Sequence, residues 1–386
     1  MELLQRLLCP VSVIIFALLF SSTESAFGSL EEANALLKWK ETLQSADSSL
    51  LTTWMLNQKN GSSSSASSPC NWFGVSCNAE GSITRLNLTN SGVNGTLETF
   101  SFPSFPNLVY LDLSMNELSG PIPPQISSLP LVYLDLSINK FSGNIPPEIG
   151  LLTNLEILHF LENQLEGSIP REIGQLKCLS ELALYTNYLS GPIPSSLGNL
   201  SNLVALYLYD NQLSGSIPEE IGNPSTLELV FLDNNRLTGP IPSTFGNLSR
   251  LTVLHLFHNE LSGSIPNEIG KLKGLVSLSF HTNNLSGSIP PSLGNLTSLP
   301  LLHLYKNRLS GSIPNEFGNL KSIVDLEMSY NQLRGSIPAS FGNLSELAQL
   351  FLSVNNLSGS QSRPAYRAIW RQGTEALGCH TGPHSV

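Results

Sequence analysis

Residues 203–218, which read LVALYLYDNQLSGSIP, recur with small changes along most of the 386-residue chain. The skeleton of the repeat is LxxLxLxxNxLSGxIPxxIGxL, and from Asn139 onward its asparagine returns every 24 residues. The asparagines of the series are Asn116, Asn139, Asn163, Asn187, Asn211, Asn235, Asn259, Asn283, Asn307, Asn331 and Asn355. An earlier unit, residues 83–97, carries Ser91 in place of the asparagine. A period of this length held in one register predicts a fold of stacked repeats, about twelve in this chain.

The leucine spacing indicates a short strand in each repeat. In LxL, alternate side chains point the same way, so the leucines would be buried and the residues between them would face outward. One repeat cannot bury its own apolar face, whereas stacked repeats share a continuous core. The asparagine amide both donates and accepts, so we expect a ladder of asparagines that pairs the buried backbone groups of the turns. The predicted fold class is an α/β-type leucine-rich repeat solenoid.

Composition and the N-terminal sequence indicate a secreted protein. A formal net charge of −10 argues against a nucleic-acid surface. Arg6 and the apolar run that follows it predict a secretory signal peptide over residues 1–25, because the run is shorter than the roughly 20 residues of a membrane span. An uncleaved anchor is the alternative. We assign residues 26–81 to an N-terminal cap, 82–359 to the repeats and 360–386 to a tail that we expect to be disordered.

The cap contains a predicted helix and a predicted disulfide bond. Apolar residues recur at helical spacing over residues 31–43, and Leu50, Leu51 and Trp54 would continue the surface that covers the first repeat. Cys70 and Cys77 form a close pair that favours a disulfide bond in an oxidising compartment. Cys178 lies in an apolar slot of its repeat, so we expect a buried free thiol there.

Sequons for N-glycosylation support secretion. They lie at Asn60, Asn87, Asn94, Asn199, Asn247, Asn284, Asn295, Asn343 and Asn356. Successive members of one set, Asn199, Asn247, Asn295 and Asn343, are 48 residues apart, which places one in every second repeat. Asn87 lies between Leu86 and Leu88, so its side chain should face outward from the strand.

The cap and repeats together resemble a known family. Trp54, the sequence PCNWFGVSC at residues 69–77 and the LxGxIPxxIGxL repeats are similar to the extracellular part of plant leucine-rich repeat receptor-like kinases. The resemblance covers residues 1 to about 359 and is strongest to the group of male-discoverer-interacting receptor kinases. It implies a curved, twisted superhelix, a secreted peptide or protein ligand on the concave face, and a co-receptor kinase ectodomain near the C-terminal repeats. Residues 360–386 carry no membrane span and no kinase motif, so we predict no kinase in this chain.

Aromatic and histidine side chains mark a candidate ligand-binding strip on the predicted strands. Two positions of each repeat are predicted to face outward, the residue between the two leucines of LxL and the residue after the second leucine. The candidate ligand-binding residues are His159, Tyr185, Tyr207, Tyr209, Phe231, Asp233, His255, Phe257, His281, His303 and Tyr305. Repeats nearer the ends present mainly serine and acidic residues at these positions. Tyrosine and histidine combine apolar area with a polar tip, which suits an extended peptide, although such rings also stabilise a sheet by stacking sideways.

The sequence therefore predicts an extracellular binding protein and no enzyme, since no GxSxG, HExxH or P-loop motif is present. We expect no cofactor and no metal, because the strip histidines lie on different predicted strands without a recognised group of carboxylates. The alternative function is a secreted inhibitor of a cell-wall hydrolase, similar to polygalacturonase-inhibiting proteins. An imidazole titrates near pH 6.5, so we also expect the four strip histidines to make binding tighter at about pH 5.5 than at pH 7.5.

Overall fold

The computed structural model describes residues 25–44, 49–56 and 68–358. Residues 1–24 of the predicted signal peptide, the sequon at Asn60 and the predicted tail lie outside these ranges. Within the described ranges, no helix is both long enough and apolar enough to cross a membrane.

The regular elements are one α-helix, a series of short strands and a series of 3₁₀ helices. Helix α1 is Ser25–Lys40. The strands are β1 Val75–Cys77, β2 Ile83–Asn87, β3 Asn94–Thr96, β4 Tyr110–Asp112, β5 Glu117–Gly120, β6 Tyr133–Asp135, β7 Lys140–Asn144, β8 Ile157–His159, β9 Gln164–Gly167, β10 Glu181–Ala183, β11 Tyr188–Pro192, β12 Ala205–Tyr207, β13 Gln212–Ser216, β14 Leu229–Phe231, β15 Arg236–Gly239, β16 Val253–His255, β17 Glu260–Gly263, β18 Ser277–Ser279, β19 Asn284–Ser288, β20 Leu301–His303, β21 Arg308–Ser312, β22 Asp325–Glu327, β23 Gln332–Gly335, β24 Gln349–Phe351 and β25 Asn356–Leu357. The 3₁₀ helices are Ser49–Thr53, Pro69–Asn71, Phe102–Ser104, Pro124–Ser128, Pro147–Leu151, Arg171–Gln175, Ser195–Asn199, Glu219–Gly222, Ser243–Asn247, Asn267–Lys271, Pro291–Asn295, Asn315–Asn319 and Ala339–Asn343.

The chain divides into two compact units, Met1–Leu189 and Ser190–Val386. In the first unit, β2, β4, β6, β8 and β10 pair in parallel, and β1 pairs antiparallel with β2. In the second unit, the even-numbered strands β12 to β24 form a parallel sheet of the same kind. These are the LxL strands, so the strand predicted in each repeat is confirmed.

Each unit also contains a second parallel ladder, which the sequence analysis missed. It joins β3, β5, β7 and β9 in the first unit, and the odd-numbered strands β13 to β25 in the second. These strands include the SG of the SGxIP motif, although serine and glycine are residue types typical of turns. Strand β17 ends at Gly263, which has a φ of 78°. Glycine adopts this positive φ without steric cost.

The core lies between the two ladders and consists of the repeated aliphatic positions. In the repeat that begins at Leu203, the side chains of Leu206, Leu208 and Leu213 are fully buried, and Ile217 is almost so. The glycine of IGxL serves close packing between successive 3₁₀ helices. A Cβ atom on Gly270 would lie 2.3 Å from the backbone oxygen of Ser292, so no larger residue fits there without movement of the backbone.

The expected asparagine ladder is confirmed. Asn259 Nδ2 donates to the backbone oxygens of Leu256 and Phe257 in its own repeat and of Leu232 in the preceding repeat, at 3.0–3.2 Å. Asn259 Oδ1 accepts from the backbone N–H of Leu237 at 2.9 Å. The same arrangement recurs at Asn163 in the first unit and at Asn307 farther along the second. Each asparagine therefore binds two neighbouring repeats together.

The cap agrees with the predicted helix in part. Helix α1 ends at Lys40 rather than at residue 43. Just after this end, the Thr42 hydroxyl donates a hydrogen bond to Trp39 O. Leu51 and Trp54 are buried as expected, but Leu50 is exposed. Burial raises the pKa of Glu32, whose carboxylate accepts hydrogen bonds from Ser82 Oγ and from the backbone N–H of Ile83.

The cysteines divide differently from the expectation at one position. Cys70 and Cys77 form a disulfide bond with their Cα atoms 5.4 Å apart. Cys178 is half-buried and disulfide-bonded, so the prediction of a buried free thiol is wrong. The apolar pattern of the repeat predicts which face a residue occupies but not whether its thiol is bonded.

Candidate ligand-binding face

The outward face of each LxL sheet presents three positions per repeat, whereas the leucine spacing predicted two. The third lies two residues before the central outward position and is the first residue of every one of these strands except β2. In the second unit it is occupied by Ala205, Leu229, Val253, Ser277, Leu301, Asp325 and Gln349. In the first unit it is occupied by Arg85, Tyr110, Tyr133, Ile157 and Glu181. These residues matter because several of them contact the predicted site residues.

The rings of the second unit form an unbroken series of contacts. Tyr207 stacks on Phe231 with ring centroids 5.3 Å apart, and Tyr209 also contacts Phe231 at 6.2 Å. Phe231 meets His255 edge-on at 4.8 Å, and His255 contacts Phe257 at 5.7 Å. We call the predicted site residues from Tyr207 to Tyr305 the aromatic strip.

The far end of the aromatic strip is built around His281. Its ring lies between those of Phe257 and Tyr305, with centroids 4.5 and 4.2 Å away and interplanar angles of 15° and 8°. His281 is consequently only 8% exposed. Burial, followed by the positive character of nearby His258 and His303, lowers the pKa of His281 to about 3. His281 therefore acts as a neutral flat ring that supports the exposed edges of its neighbours.

His255 is also neutral. Its Nε2 lies 2.7 Å from the Oγ atom of Ser277, which occupies the first position of strand β18. Burial and the nearby His303 lower the pKa of His255 to about 4. The half-buried ring remains available for contact with a ligand, as do the half-buried rings of Tyr207, Phe231 and Phe257.

Asp233 is the one acidic residue of the aromatic strip, and it is 4% exposed. Its Oδ2 accepts from Asn234 Nδ2 at 3.2 Å, whereas its Oδ1 has no hydrogen-bond partner among the described residues. Burial, with a further contribution from the charge of Asp210, raises the pKa of Asp233 to about 7. This carboxyl group thus changes its charge close to neutral pH.

His303 lies in a group with two carboxylates. Its Nε2 is 2.9 Å from Asp325 Oδ2 and 3.9 Å from Glu327 Oε1. The register explains the group, because His303 pairs with Glu327 across β20 and β22 and lies diagonally from Asp325. Burial and the charge of Asp325 raise the pKa of Glu327, while His303 lowers it. The expectation that no carboxylates accompany the strip histidines is therefore wrong at His303, since Asp325 occupies the first strand position.

The first unit places His159 in a different environment. Its Nδ1 lies 3.2 Å from Asp135 Oδ2, and its Nε2 lies 3.1 Å from Glu181 Oε1. Burial alone would lower the pKa of His159, but the hydrogen bonds and charges of Asp135 and Glu181 raise it to about 9. Tyr185, the other predicted site residue of this unit, is half-buried on the same face.

Aromatic side chains also occupy the N-terminal repeats, which corrects the view that these repeats present mainly serine and acid. Tyr110 and Tyr133 stack with centroids 4.2 Å apart, and the guanidinium of Arg85 lies 3.7 Å above the Tyr110 ring. Both tyrosines stand at the first strand position. The serines and acids that were noted bond mainly to each other, as Asp112 Oδ1 does with Ser114 Oγ at 2.7 Å.

The expected histidine-driven pH dependence is wrong for three of the four histidines. His255 and His281 have lowered pKa values and stay neutral between pH 5 and 7, whereas His159, with a pKa of about 9, stays charged. Sequence alone identified titratable types but not the rings and carboxylates that surround them. Asp233, with a pKa raised by burial to about 7, is a strip residue whose charge changes near the upper end of this range.

The sequon asparagines occupy two kinds of position. Asn199, Asn247, Asn295 and Asn343 are exposed and end the 3₁₀ helices of alternate repeats in the second unit. Asn356 is also exposed, whereas Asn87, Asn94 and Asn284 are half-buried in strands. Asn87 pairs with Asp112 in the LxL sheet, and its Oδ1 accepts from the backbone N–H and the hydroxyl of Thr89.

Comparison with known families agrees with this architecture. Residues 29–78 match the leucine-rich repeat N-terminal domain, and residues 244–367 match a leucine-rich repeat region. The leucine-rich repeat also matches singly at residues 107–129, 130–152, 202–224 and 226–248. The chain is a leucine-rich repeat protein.

The similar proteins include plant receptor kinases. A stretch of 114 residues is 53% identical to MDIS1-interacting receptor like kinase 2 of Arabidopsis thaliana, covering 29% of this chain and 10% of that protein. Among solved structures, the PEPR1–AtPEP1 complex aligns with a TM-score of 0.75 and 38% identity over 85% of this chain and 49% of that one. The Arabidopsis receptor kinase HAESA, in complex with the peptide hormone IDA and the co-receptor SERK1, aligns with a TM-score of 0.72 and 33% identity over 85% of this chain and 54% of that one. The matches thus span about a tenth of the curated kinases and about half of the solved receptor chains.

Proposed function

We propose that this leucine-rich repeat protein is an extracellular binding module that holds a secreted peptide against the aromatic strip, and that it has no catalytic role of its own. The observation that carries the proposal is the series of ring contacts from Tyr207 to Tyr305 on one face of the second unit. Half-buried rings in such a series are held in fixed positions. Ligand binding therefore costs little additional side-chain entropy of the receptor.

The dimensions of the strip suit a short extended peptide. Its central outward residues lie on five successive strands, β12 to β20, and strands about 4.8 Å apart place the outer two roughly 19 Å from each other. Extended chain covers about 3.3 Å per residue, so about six peptide residues would lie across this surface. Rings that contact both neighbours favour an apolar or aromatic peptide side chain at the centre of the strip.

The similarities support an extracellular receptor-type setting. The aligned HAESA structure contains the peptide hormone IDA and the co-receptor SERK1, and the aligned PEPR1 structure is a complex with AtPEP1. We accordingly propose that the chain works outside the cell, that its ligand is a peptide, and that a co-receptor ectodomain docks near the C-terminal repeats. His159 and Tyr185 remain proposed ligand contacts of the first unit.

Selection of peptides on the purified chain tests the proposal. A random ten-residue peptide library displayed on phage would be selected against the full chain, and the affinity of the enriched peptides would be measured by calorimetry. Phe231→Ala removes the ring that contacts Tyr207, Tyr209 and His255, so we expect peptide binding to weaken by about 1–3 kcal/mol.

Ser353→Ala serves as the matched control, because Ser353 occupies the same outward face beyond the aromatic strip and is half-buried. We expect this change to leave affinity within about 0.5 kcal/mol of the parent. Equal losses from the two variants would move the binding surface away from the strip. Failure of the library to yield any peptide that competes at this face would contradict peptide binding itself.

A further inference from the structure

A group of three metal-binding side chains stands at the end of the aromatic strip, where the sequence predicted no metal. His303 extends from β20, and Asp325 and Glu327 extend from the adjacent β22. One nitrogen and two oxygens of these residues all lie within 4.8 Å of one another. Two parallel strands hold the three residues, so the group is fixed by the ladder and does not depend on a loop.

The geometry differs from that of an ordinary histidine–carboxylate ion pair. At His159, Nδ1 faces Asp135 and Nε2 faces Glu181, so each ring nitrogen has a different carboxylate partner. At His303, the same atom, Nε2, faces both carboxylates, at 2.9 and 3.9 Å. Donors bound to one tetrahedral zinc ion at about 2.0–2.2 Å are roughly 3.3–3.6 Å apart, so small side-chain movements would fit the group around an ion.

Asp325 provides an independent indication. Its Oδ1 is buried and has no hydrogen-bond partner among the described residues, although its Oδ2 contacts His303. A buried carboxylate oxygen without a partner is costly, and a cation that binds the carboxylate removes that cost. Two adjacent carboxylates that are both partly buried also repel each other, which a divalent cation relieves.

We propose that His303, Asp325 and Glu327 bind one Zn²⁺ ion, with the remaining coordination position open to water or to a ligand. Imidazole nitrogen with carboxylate oxygens is a donor set that suits zinc, whereas Ca²⁺ and Mg²⁺ prefer oxygen donors throughout. The site does not require the aromatic strip to bind a peptide. If both hold, the open position lies beside Tyr305 and would take a carboxylate group of the bound peptide, since the His303 and Tyr305 rings are 6.0 Å apart.

Titration of the chelator-treated full chain with zinc chloride at pH 7.5 tests the site. Because His380 and His384 are further candidate donors in the chain, the titrations would use a background with His380→Ala and His384→Ala. We expect one Zn²⁺ per chain in this background. Asp325→Asn and Glu327→Gln preserve shape and remove one charge each, and each should weaken zinc binding at least about 100-fold, as should His303→Ala.

Glu181→Gln is the matched control, because it makes the same chemical change beside His159 and should leave zinc affinity unaltered. Co²⁺ gives a second readout, since its visible absorption should show nitrogen and oxygen ligation that is lost in His303→Ala while circular dichroism shows an intact fold. Zinc affinity within threefold of the background in Asp325→Asn and Glu327→Gln would overturn the proposal. Tighter binding of Ca²⁺ than of Zn²⁺ would overturn the choice of metal. Peptide selection in the presence of a chelator distinguishes the metal site from peptide binding, because loss of one need not remove the other.

Discussion

Replacing Asn259 by alanine tests the asparagine ladder that joins the repeats. The two hydrogens on Nδ2 are shared among three carbonyl oxygens, and Oδ1 accepts one further hydrogen bond. The three carbonyl acceptors each retain another donor: Leu232 O accepts from Asn235 Nδ2, Leu256 O from Asn283 Nδ2, and Phe257 O from the backbone N–H of Asn234. The backbone N–H of Leu237, in contrast, loses its partner at a fully buried residue.

The expected loss of stability follows from this difference between the carbonyl acceptors, which keep another donor, and the Leu237 N–H, which keeps no acceptor. Leaving a buried N–H without a partner costs about 1–3 kcal/mol, and the remaining bonds contribute roughly 1 kcal/mol in total because their acceptors stay paired. We therefore expect the free energy of unfolding to fall by about 2–4 kcal/mol in Asn259→Ala. Urea unfolding followed by circular dichroism measures the change, and hydrogen exchange at the Leu237 amide should accelerate more than exchange at amides of distant repeats.

Glu260→Ala is the matched control, since Glu260 is the next residue and is exposed. Its substitution should alter stability by no more than about 0.5 kcal/mol. A loss in Asn259→Ala that does not exceed the loss in Glu260→Ala would refute the reasoning. Unchanged protection of the Leu237 amide would show that the backbone finds another acceptor.

Two further predictions concern titration and glycosylation. The pKa of His281 is lowered to about 3 in the folded protein, so below pH 6.5 the unfolded chain binds a proton at this ring more readily than the folded chain does. The stabilising contribution of the neutral ring is therefore complete above pH 6.5 and is lost as the pH falls toward 3. His281→Phe keeps a ring between Phe257 and Tyr305 and cannot titrate, so the parent should lose about 1–2.5 kcal/mol of unfolding free energy relative to this variant between pH 7 and 4.5, and a constant difference in urea unfolding across that range would contradict the assignment. Asn87 should carry a glycan that covers the sheet face beside Asp112, and detection of only the unmodified peptide by mass spectrometry of secreted protein would end this idea.

The repeated sequence was sufficient to predict most of the backbone structure of this protein. The LxL strands, the buried leucines and the asparagine ladder follow from a local rule applied many times, and each copy supports the register of the others. The second ladder was missed because its strand contains one buried residue, such as Leu261, followed by Ser262 and Gly263, a sequence that is typical of a turn. Pairing with the neighbouring repeat, rather than local propensity, makes it a strand.

Tertiary structure decided the chemistry of the outward face. Sequence showed which positions point outward at His159, His255, His281 and His303, but the state of each ring depends on its lateral neighbours. Carboxylates on both sides keep His159 charged, two stacked rings keep His281 neutral, and Asp325 with Glu327 turns His303 into a candidate zinc ligand. The fold was readable because it depends on spacing along the chain, whereas proton and metal affinity depend on distances of a few ångströms between residues some 22–24 positions apart, which only the stacking of the repeats establishes.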